Sequence, residues 1–532
     1  MDRGYRIIFN RLGFIFEFGN NSPEIIHYQE DHDLEFFHVG KPIIDRLMDN
    51  LSDIKPEEPG EIERKGLLTR QLKPINDTIT SHSKHRKKEV KETKSLNDDY
   101  KIGSKSTSGE INIKKEKYEE DSITLMNGKT GGPGFTDFIG DSDATPQYGL
   151  LATTINSRKV ALDLNGCNTI SLFGVPGGGK SYTLGTIVEM SVKQIPGINL
   201  LPKPLASVIF HYNKSQDYPP EFVSMRYPNS SDKEIKLLEE VYGANPTNLD
   251  DILLLTPSDK LEERQAEYPD IQVAPIAFSS QELSSEDWKF LMGAIKNDSL
   301  YMQKIVKIMR EGRKNLTLEY LRRAIIESRL NETQKEFAKL RLEIASQFID
   351  DNSKLRDKLC PGRLIIVDLR DEFIEKDQAL GLFVVMLNIF AGAKLEDEKS
   401  FNKLIIFDEA HKYISHSDLT SHVVEVIRQM RHQGVTMLMA SQDPPSLPNA
   451  IIELSSTIIL HKFNSPQWLK HIQKSVVSLS ELTSTQLANL QPGEAYLWAN
   501  KANNPAWTKK AIKILTRPRV TLHGGSTQKA IE

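Results

Sequence analysis

An α/β fold, with a mostly parallel sheet and helices on both faces, is what the sequence predicts, and three observations predict it. "ISLFGVPGGGKSYTLG" (Ile170–Gly185) is an apolar strand that collapses into glycines and opens a helix. Three more apolar strands come later: "RLIIVDL" (Arg363–Leu369), "KLIIFDE" (Lys403–Glu409) and "VTMLMASQ" (Val435–Gln442). Helical stretches separate them, and strands alternating with helices are the pattern of parallel βαβ construction.

The first element carries chemistry. From Gly174 to Ser181 the spacing is G-x-x-x-x-G-K-S, the P-loop pattern, in the strand–loop–helix context that the pattern requires. Gly177, Gly178 and Gly179 let backbone N–H groups wrap a phosphate at a helix N-terminus. Lys180 brings a point charge to the β- and γ-phosphates, and the Ser181 hydroxyl reaches Mg²⁺. ATP and Mg²⁺ are the expected cofactors. Gly174, Pro176, Gly177, Gly178, Gly179, Lys180, Ser181 and Tyr182 are the candidate nucleotide-binding residues.

A chain of 532 residues allows about two to four domains. Hydrophobic residues make up 39% and charged residues 26%, enough apolar material for a sizeable core. The formal net charge is −4, so no global basic field advertises nucleic acid; such a contact needs a local patch or an oligomer channel. Cys167 and Cys360 lie far apart with no CxxC, so neither a disulfide framework nor a zinc site is expected. "MDRGYRIIFN" at the start lacks the apolar stretch of a secretory signal. The longest apolar run, "LGLFVVMLNIFAGA" (Leu380–Ala393), is shorter than the ~20 residues of a membrane span. It reads as a buried helix, and the protein as cytoplasmic, with no membrane partner.

Along the chain, residues 1–51 read as an N-terminal β-rich segment, with "FIFEF" and "IIHY" flanking the turn "GNNSPE". Residues 52–122 are too charged and too poor in apolar groups to offset ordering entropy, and read as a disordered linker. Residues 123–165, with "YGLLATT" and "KVALDL", read as a second β-rich module. The ATPase core spans 166–532, with a helical insertion at about 284–358 and a C-terminal β extension. In "YMQKIVKIMREG" the apolar Met302, Ile305, Val306 and Met309 share one helical face, and Lys304, Lys307 and Arg310 point away from it. Thr317 is the expected N-cap of the next helix. "STIILHKF", "EAYLWAN" and "WTKKAIKI" are expected to form an antiparallel extension.

A P-loop needs an acid at the end of a neighbouring strand to hold Mg²⁺ through water. Asp368 and Asp408 both end apolar strands. Asp408 is preferred because Glu409 follows it directly, so one carboxylate can serve the metal while the next polarises an attacking water. Gln442 ends the following strand, where it can sense the γ-phosphate or, alternatively, cap the next loop. A two-lobed DEAH helicase is not expected from one P-loop and one sheet. A small P-loop kinase would not ordinarily need an Asp–Glu water activator.

With "GVPGGGKSYTLG", "LIIFDEAHKY", "VVEVIRQMRHQGVTMLMASQ", "ELSSTIILHKF" and "LQPGEAYLW" in that order, the chain resembles the HerA/FtsK superfamily of P-loop motors over roughly Tyr148 to Trp498. The likeness is to the HerA branch in particular. The resemblance implies a RecA-like P-loop NTPase core, an N-terminal β-barrel of the HAS-barrel type and a helical insertion. It also implies a hexameric ring, a homo-oligomer that translocates double-stranded DNA. Carried over by position, Lys180 and Ser181 bind phosphate and Mg²⁺, Asp408 supports the metal, Glu409 activates water and Gln442 senses phosphate. An arginine supplied by the neighbouring subunit maps to Arg431 in "RQMRHQG", with Arg428 one turn earlier as the alternative. The long linker departs from the simplest family pattern by splitting the presumed barrel.

Such motors often act with a nuclease or other effector, in DNA end processing or phage defence. The leading expectation is therefore an ATP-hydrolysing, ring-forming DNA translocase or helicase. The alternative is a regulatory or scaffolding ring ATPase that organises an effector. The acidic net charge sustains that alternative, because nucleic-acid affinity depends on basic contacts.

Overall fold

The computed structural model describes residues 6–8, 14–19, 22–28, 34–38 and 132–525, except 294–299, 314, 396–398, 415–417 and 430–432. The expected linker at 52–122 therefore lies outside the described residues, as does Arg431. The chain divides into two units, Met1–Glu116 and Lys117–Glu532. In the first, β1 (Arg6–Ile8), β2 (Phe14–Gly19), β3 (Ser22–Tyr28) and β4 (Leu34–His38) form an antiparallel meander. The alternating stretches around "GNNSPE" are its central hairpin, with Gly19 opposite Ser22.

The second unit is built on one sheet. Its strands are β5 (Asp137–Ile139), β6 (Tyr148–Thr154), β7 (Lys159–Asp163), β8 (Thr169–Phe173), β9 (Asn199–Leu200), β10 (Ala206–Asn213) and β11 (Ile252–Thr256). Then come β12 (Gln272–Pro275), β13 (Leu364–Arg370), β14 (Lys403–Phe407), β15 (Val435–Ser441), β16 (Thr457–Leu460), β17 (Glu494–Ala499) and β18 (Ile512–Thr516). The order is β12-β11-β13-β10-β14-β15-β8-β16-β17-β18-β6-β7-β5, with β9 pairing β6. From β12 to β16 every pairing is parallel.

Parallel strands are covered on both faces, which is why they read as continuous apolar runs. Val208 and Phe210 of β10 face one core with Ile405, Phe407, Met437 and Met439. Ile209 faces the other with Leu404, Ile406 and Leu438. Leu184 and Val188 of the helix Lys180–Val192 belong to the second core. The apolar stretch after Leu380 lies in the helix Lys376–Ala391 of the first core, where Phe383 packs 4.6 Å from Phe210. No helix among the described residues is long and apolar enough to cross a membrane.

Between β12 and β13 lie the helices Ser285–Leu291, Leu300–Glu311, Leu318–Glu327 and Glu332–Ser346. Met302, Ile305 and Met309 are buried while Lys304, Lys307 and Arg310 are exposed. Thr317 Oγ1 accepts from the Tyr320 N–H at 3.1 Å, capping its helix.

The C-terminal strands correct one expectation. β16 runs parallel to β8, because the connection through the short helix Asn449–Glu453 crosses β8 and returns the chain in the same direction. β17 and β18 are antiparallel, and β18 is preceded by a helical turn, Ala506–Lys509, within "WTKKAIKI". β18 pairs β6, and a bridge from Ile139 to Ala502 brings the far edge of the sheet back beside the end of β17.

Candidate active site

Parallel strands put their carboxyl ends on one edge, where ligands of α/β sheets bind. β8 delivers the glycine loop there. Val175 N–H donates to Lys462 O at 3.0 Å, and Gly178 N–H turns back to Val175 O at 3.1 Å. Gly177 and Gly179 have φ of +72° and +100°, which a β-carbon disfavours. At Gly179 a β-carbon would also lie 2.9 Å from Gly493 N. Pro176 and Gly177 are exposed at the loop tip, and Ser181 and Tyr182 are half-buried at the helix start. The Tyr182 hydroxyl is committed within the protein, donating to Glu234 Oε2 and accepting from Arg519 N–H, each at 2.8 Å.

Asp408 and Glu409 follow β14, and Gln442 follows β15. β15 lies between β8 and β14, so Gln442 belongs to the P-loop strand's immediate neighbour, and the acids reach the lysine from one strand further. Lys180 Nζ lies 2.5 Å from Glu409 Oε1 and 4.0 Å from Asp408 Oδ1. Gln442 Nε2 donates to the same Glu409 oxygen at 2.7 Å. Glu409 holds a left-handed backbone, φ +49°, a conformation that costs on the order of 1–3 kcal/mol in a non-glycine residue. The structure thus brings together four of the residues singled out from sequence: Lys180, Asp408, Glu409 and Gln442.

Three histidines join them. His211, at the end of β10, places Nδ1 3.6 Å from Asp408 Oδ2. His411 Nδ1 is 3.3 Å from Glu409 Oε2. His461 is buried under the loop and donates from Nδ1 to Glu494 O at 3.0 Å. None was singled out from sequence, although a polar residue ending an apolar strand was the available signal in "VIFHYN" and "TIILHKF".

Lys180 is 3% exposed. Burial opposes its charge, but Asp408 and Glu409 outweigh that and raise its pKa. Burial likewise opposes the Asp408 carboxylate, yet His211 and Lys180 hold its pKa below the usual range. His411 and His461 are both lowered, by burial first, His461 to about 4.

Asp368, the competing strand-end acid, is buried on β13 with its charge already matched. Arg370 donates to both of its oxygens at 2.8 to 3.0 Å, and Arg264 Nε lies 3.0 Å from Oδ2. β10, β14 and β15 separate its strand from β8. Arg428 is 59% exposed and 3.8 Å from Glu425 Oε2.

A glycine loop that ends in a helix N-terminus and a buried lysine fits a phosphate, and an Asp–Glu pair stands against that lysine on the same sheet edge. That combination defines the protein as a P-loop ATPase. A probable helicase of Methanocaldococcus jannaschii is 30% identical over 138 residues, 24% of this chain and 27% of that protein. The DNA double-strand break repair helicase HerA of Saccharolobus solfataricus is 25% identical over 167 residues, 30% of this chain and 33% of that protein. Each match therefore spans a third or less of the curated relative. In motif order and in these two partial matches, the chain is similar to the HerA/FtsK superfamily of P-loop ATPases. Among solved structures, VirB4 of Thermoanaerobacter pseudethanolicus has a TM-score of 0.41 at 12% identity, covering 71% of this chain and 98% of that one. The bacterial conjugative coupling protein TrwB has a TM-score of 0.43 at 12% identity, covering 76% and 100%. No protein-family profile matches the chain.

Proposed function

We propose that this chain uses ATP hydrolysis to move double-stranded DNA through a hexameric ring of its own copies. The observation that carries the catalytic half of this reading is the meeting of Lys180, Glu409 and Gln442 within hydrogen-bond distance on the carboxyl edge of the sheet. The loop amides and Lys180 hold the β- and γ-phosphates. The Ser181 hydroxyl and Asp408, whose Oδ1 is buried without a hydrogen-bond partner, fit a Mg²⁺ ion. When bound, that ion neutralises phosphate charge. Glu409 takes the proton of the attacking water, Gln442 reports whether the γ-phosphate is present, and Arg431 is offered to the neighbouring subunit. The DNA half is supported by the names of the two curated relatives, both helicases and one of DNA double-strand break repair. A nuclease or other effector beside the ring, in DNA processing or phage defence, belongs to the same reading.

A second reading, a scaffolding ring that organises an effector without moving DNA, is favoured by one observation, the net charge of −4. ATP turnover with and without duplex DNA separates the two. Translocation calls for stimulation by duplex, with Lys180→Ala silent because each lost charge-assisted contact costs ~1.5–3 kcal/mol. Turnover indifferent to DNA but raised by a partner protein favours the scaffold.

A further inference from the structure

The two carboxylate oxygens of Glu409 have unequal surroundings. Oε1 receives the Lys180 ammonium at 2.5 Å and the Gln442 amide at 2.7 Å. Oε2 is buried with no hydrogen-bond partner, although His411 Nδ1 stands 3.3 Å away. Donor direction explains this. The Gln442 backbone N–H can only donate, and it is aimed at His411 Nδ1 at 3.4 Å, so that nitrogen presents a lone pair. A carboxylate oxygen that has shed water beside a nitrogen with no hydrogen to donate is left uncompensated. The left-handed backbone of Glu409 adds strain. Glu409 is thus held on Lys180 strongly through one oxygen and disfavoured at the other.

We propose that Glu409 is an internal competitor for phosphate on Lys180, and that His411 is the positioning residue that keeps this pairing weak enough to exchange. The inference rests on the proposed phosphate role of Lys180. A phosphate on the same ammonium would put like charges a few ångströms apart, so the carboxylate leaves Lys180 as phosphate arrives. Glu409 then becomes free to face water only in a site that already holds its triphosphate, with Gln442 as its remaining partner. Nucleotide affinity becomes the outcome of a competition, set in part by a histidine that touches no nucleotide.

The test is binding of a non-hydrolysable ATP analogue with Mg²⁺ to the full chain, measured calorimetrically for the wild type, Glu409→Gln, His411→Asn and the double variant. Melting temperatures establish that each is folded. Glu409→Gln removes the charged competitor and should bind about tenfold more tightly, as expected if ~one site in ten is free of the pairing. His411→Asn offers Oε2 an amide N–H, strengthens the pairing and should weaken binding several-fold. In the Glu409→Gln background the same histidine change should have no effect. Equal weakening in both backgrounds, or no gain in Glu409→Gln, overturns the inference and leaves the ATPase reading standing. A folded wild type that binds no nucleotide overturns the reading itself. Where His411→Asn does not fold, the comparison of wild type with Glu409→Gln decides alone: tighter binding supports the competition, and unchanged binding overturns it.

Discussion

Glu409 meets a lysine, an amide and a histidine, whereas Asp368 is enclosed by Arg264 and Arg370. Both stand near the carboxyl ends of apolar strands, and their surroundings suit them to different uses. Glu409→Gln should slow hydrolysis by about 10²–10⁴-fold, the usual contribution of a general base, while the protein still binds ATP. Asp368→Asn should leave turnover of the folded protein intact and lower stability by about 3–5 kcal/mol, because it leaves buried arginines uncompensated. Steady-state ATPase rates beside urea melts decide; crippled turnover in Asp368→Asn with normal turnover in Glu409→Gln would mean the wrong acid. His461 gives a pH signature. Its pKa falls from 6.5 to about 4 on folding, so between those values the unfolded chain binds more protons. Stability conferred by keeping this ring neutral is complete above pH 6.5 and is lost on acidification through that window, on the order of 3 kcal/mol in all. His461→Asn, which can still donate to Glu494 O, should therefore lose less melting temperature than the wild type between neutral and acid pH. Parallel losses would place the acid sensitivity elsewhere.

At the level of elements, the P-loop helix is anchored by a segment far away in sequence. Glu189 accepts from Arg517 Nη1 at 2.6 Å, from the N–H groups of Val520 and Thr521 at 3.1 Å and from Thr521 Oγ1 at 2.8 Å, all fully buried. Glu189→Ala should cost about 3–5 kcal/mol by leaving Arg517 charged and unpaired. Lys339→Ala breaks an exposed pair with Glu336 of similar length and should cost far less, because water screens it. Chemical denaturation of both variants checks the contrast, and equal losses would contradict it. The elements themselves were largely legible. β10, β13, β14 and β15 read as strands because burial on both faces makes them continuously apolar, and Leu300–Glu311 reads as a helix because one face is buried and one is not. The parallel sense of β16 was not legible, since direction depends on which way the connection crosses the sheet.

For the whole molecule, the proposed ring makes a demand on mixtures. An arginine supplied in trans can be worth ~10³–10⁵ in turnover, and Arg431 is the proposed donor. Glu409→Gln subunits retain Arg431, and Arg431→Ala subunits retain Glu409. Mixed rings should therefore contain intact junctions and recover ATP hydrolysis that neither variant shows alone. Light scattering with ATP present should report an oligomer. A monomer, or no recovery despite confirmed subunit exchange, would contradict shared sites with this donor.

The sequence by itself determined the strand–loop–helix at the P-loop pattern, because G-x-x-x-x-G-K-S needs only local geometry: two residues at positive φ, a strand before and a helix after. It also determined which strands are buried, through their apolar runs. Only the tertiary structure decided how those strands are ordered. β15 lies between β8 and β14, so Gln442 and Glu409 converge on Lys180 from different strands, while Asp368 is carried off behind β10 to its arginines. It also brought His211 and His461 to the site, and aimed the Gln442 N–H at His411 Nδ1, which leaves that nitrogen no hydrogen to give the nearby carboxylate oxygen of Glu409. Apart from His411, which follows Glu409 by two residues, these contacts join residues far apart in the chain, whose distance is set by strand order and by the direction in which each hydrogen-bond donor points.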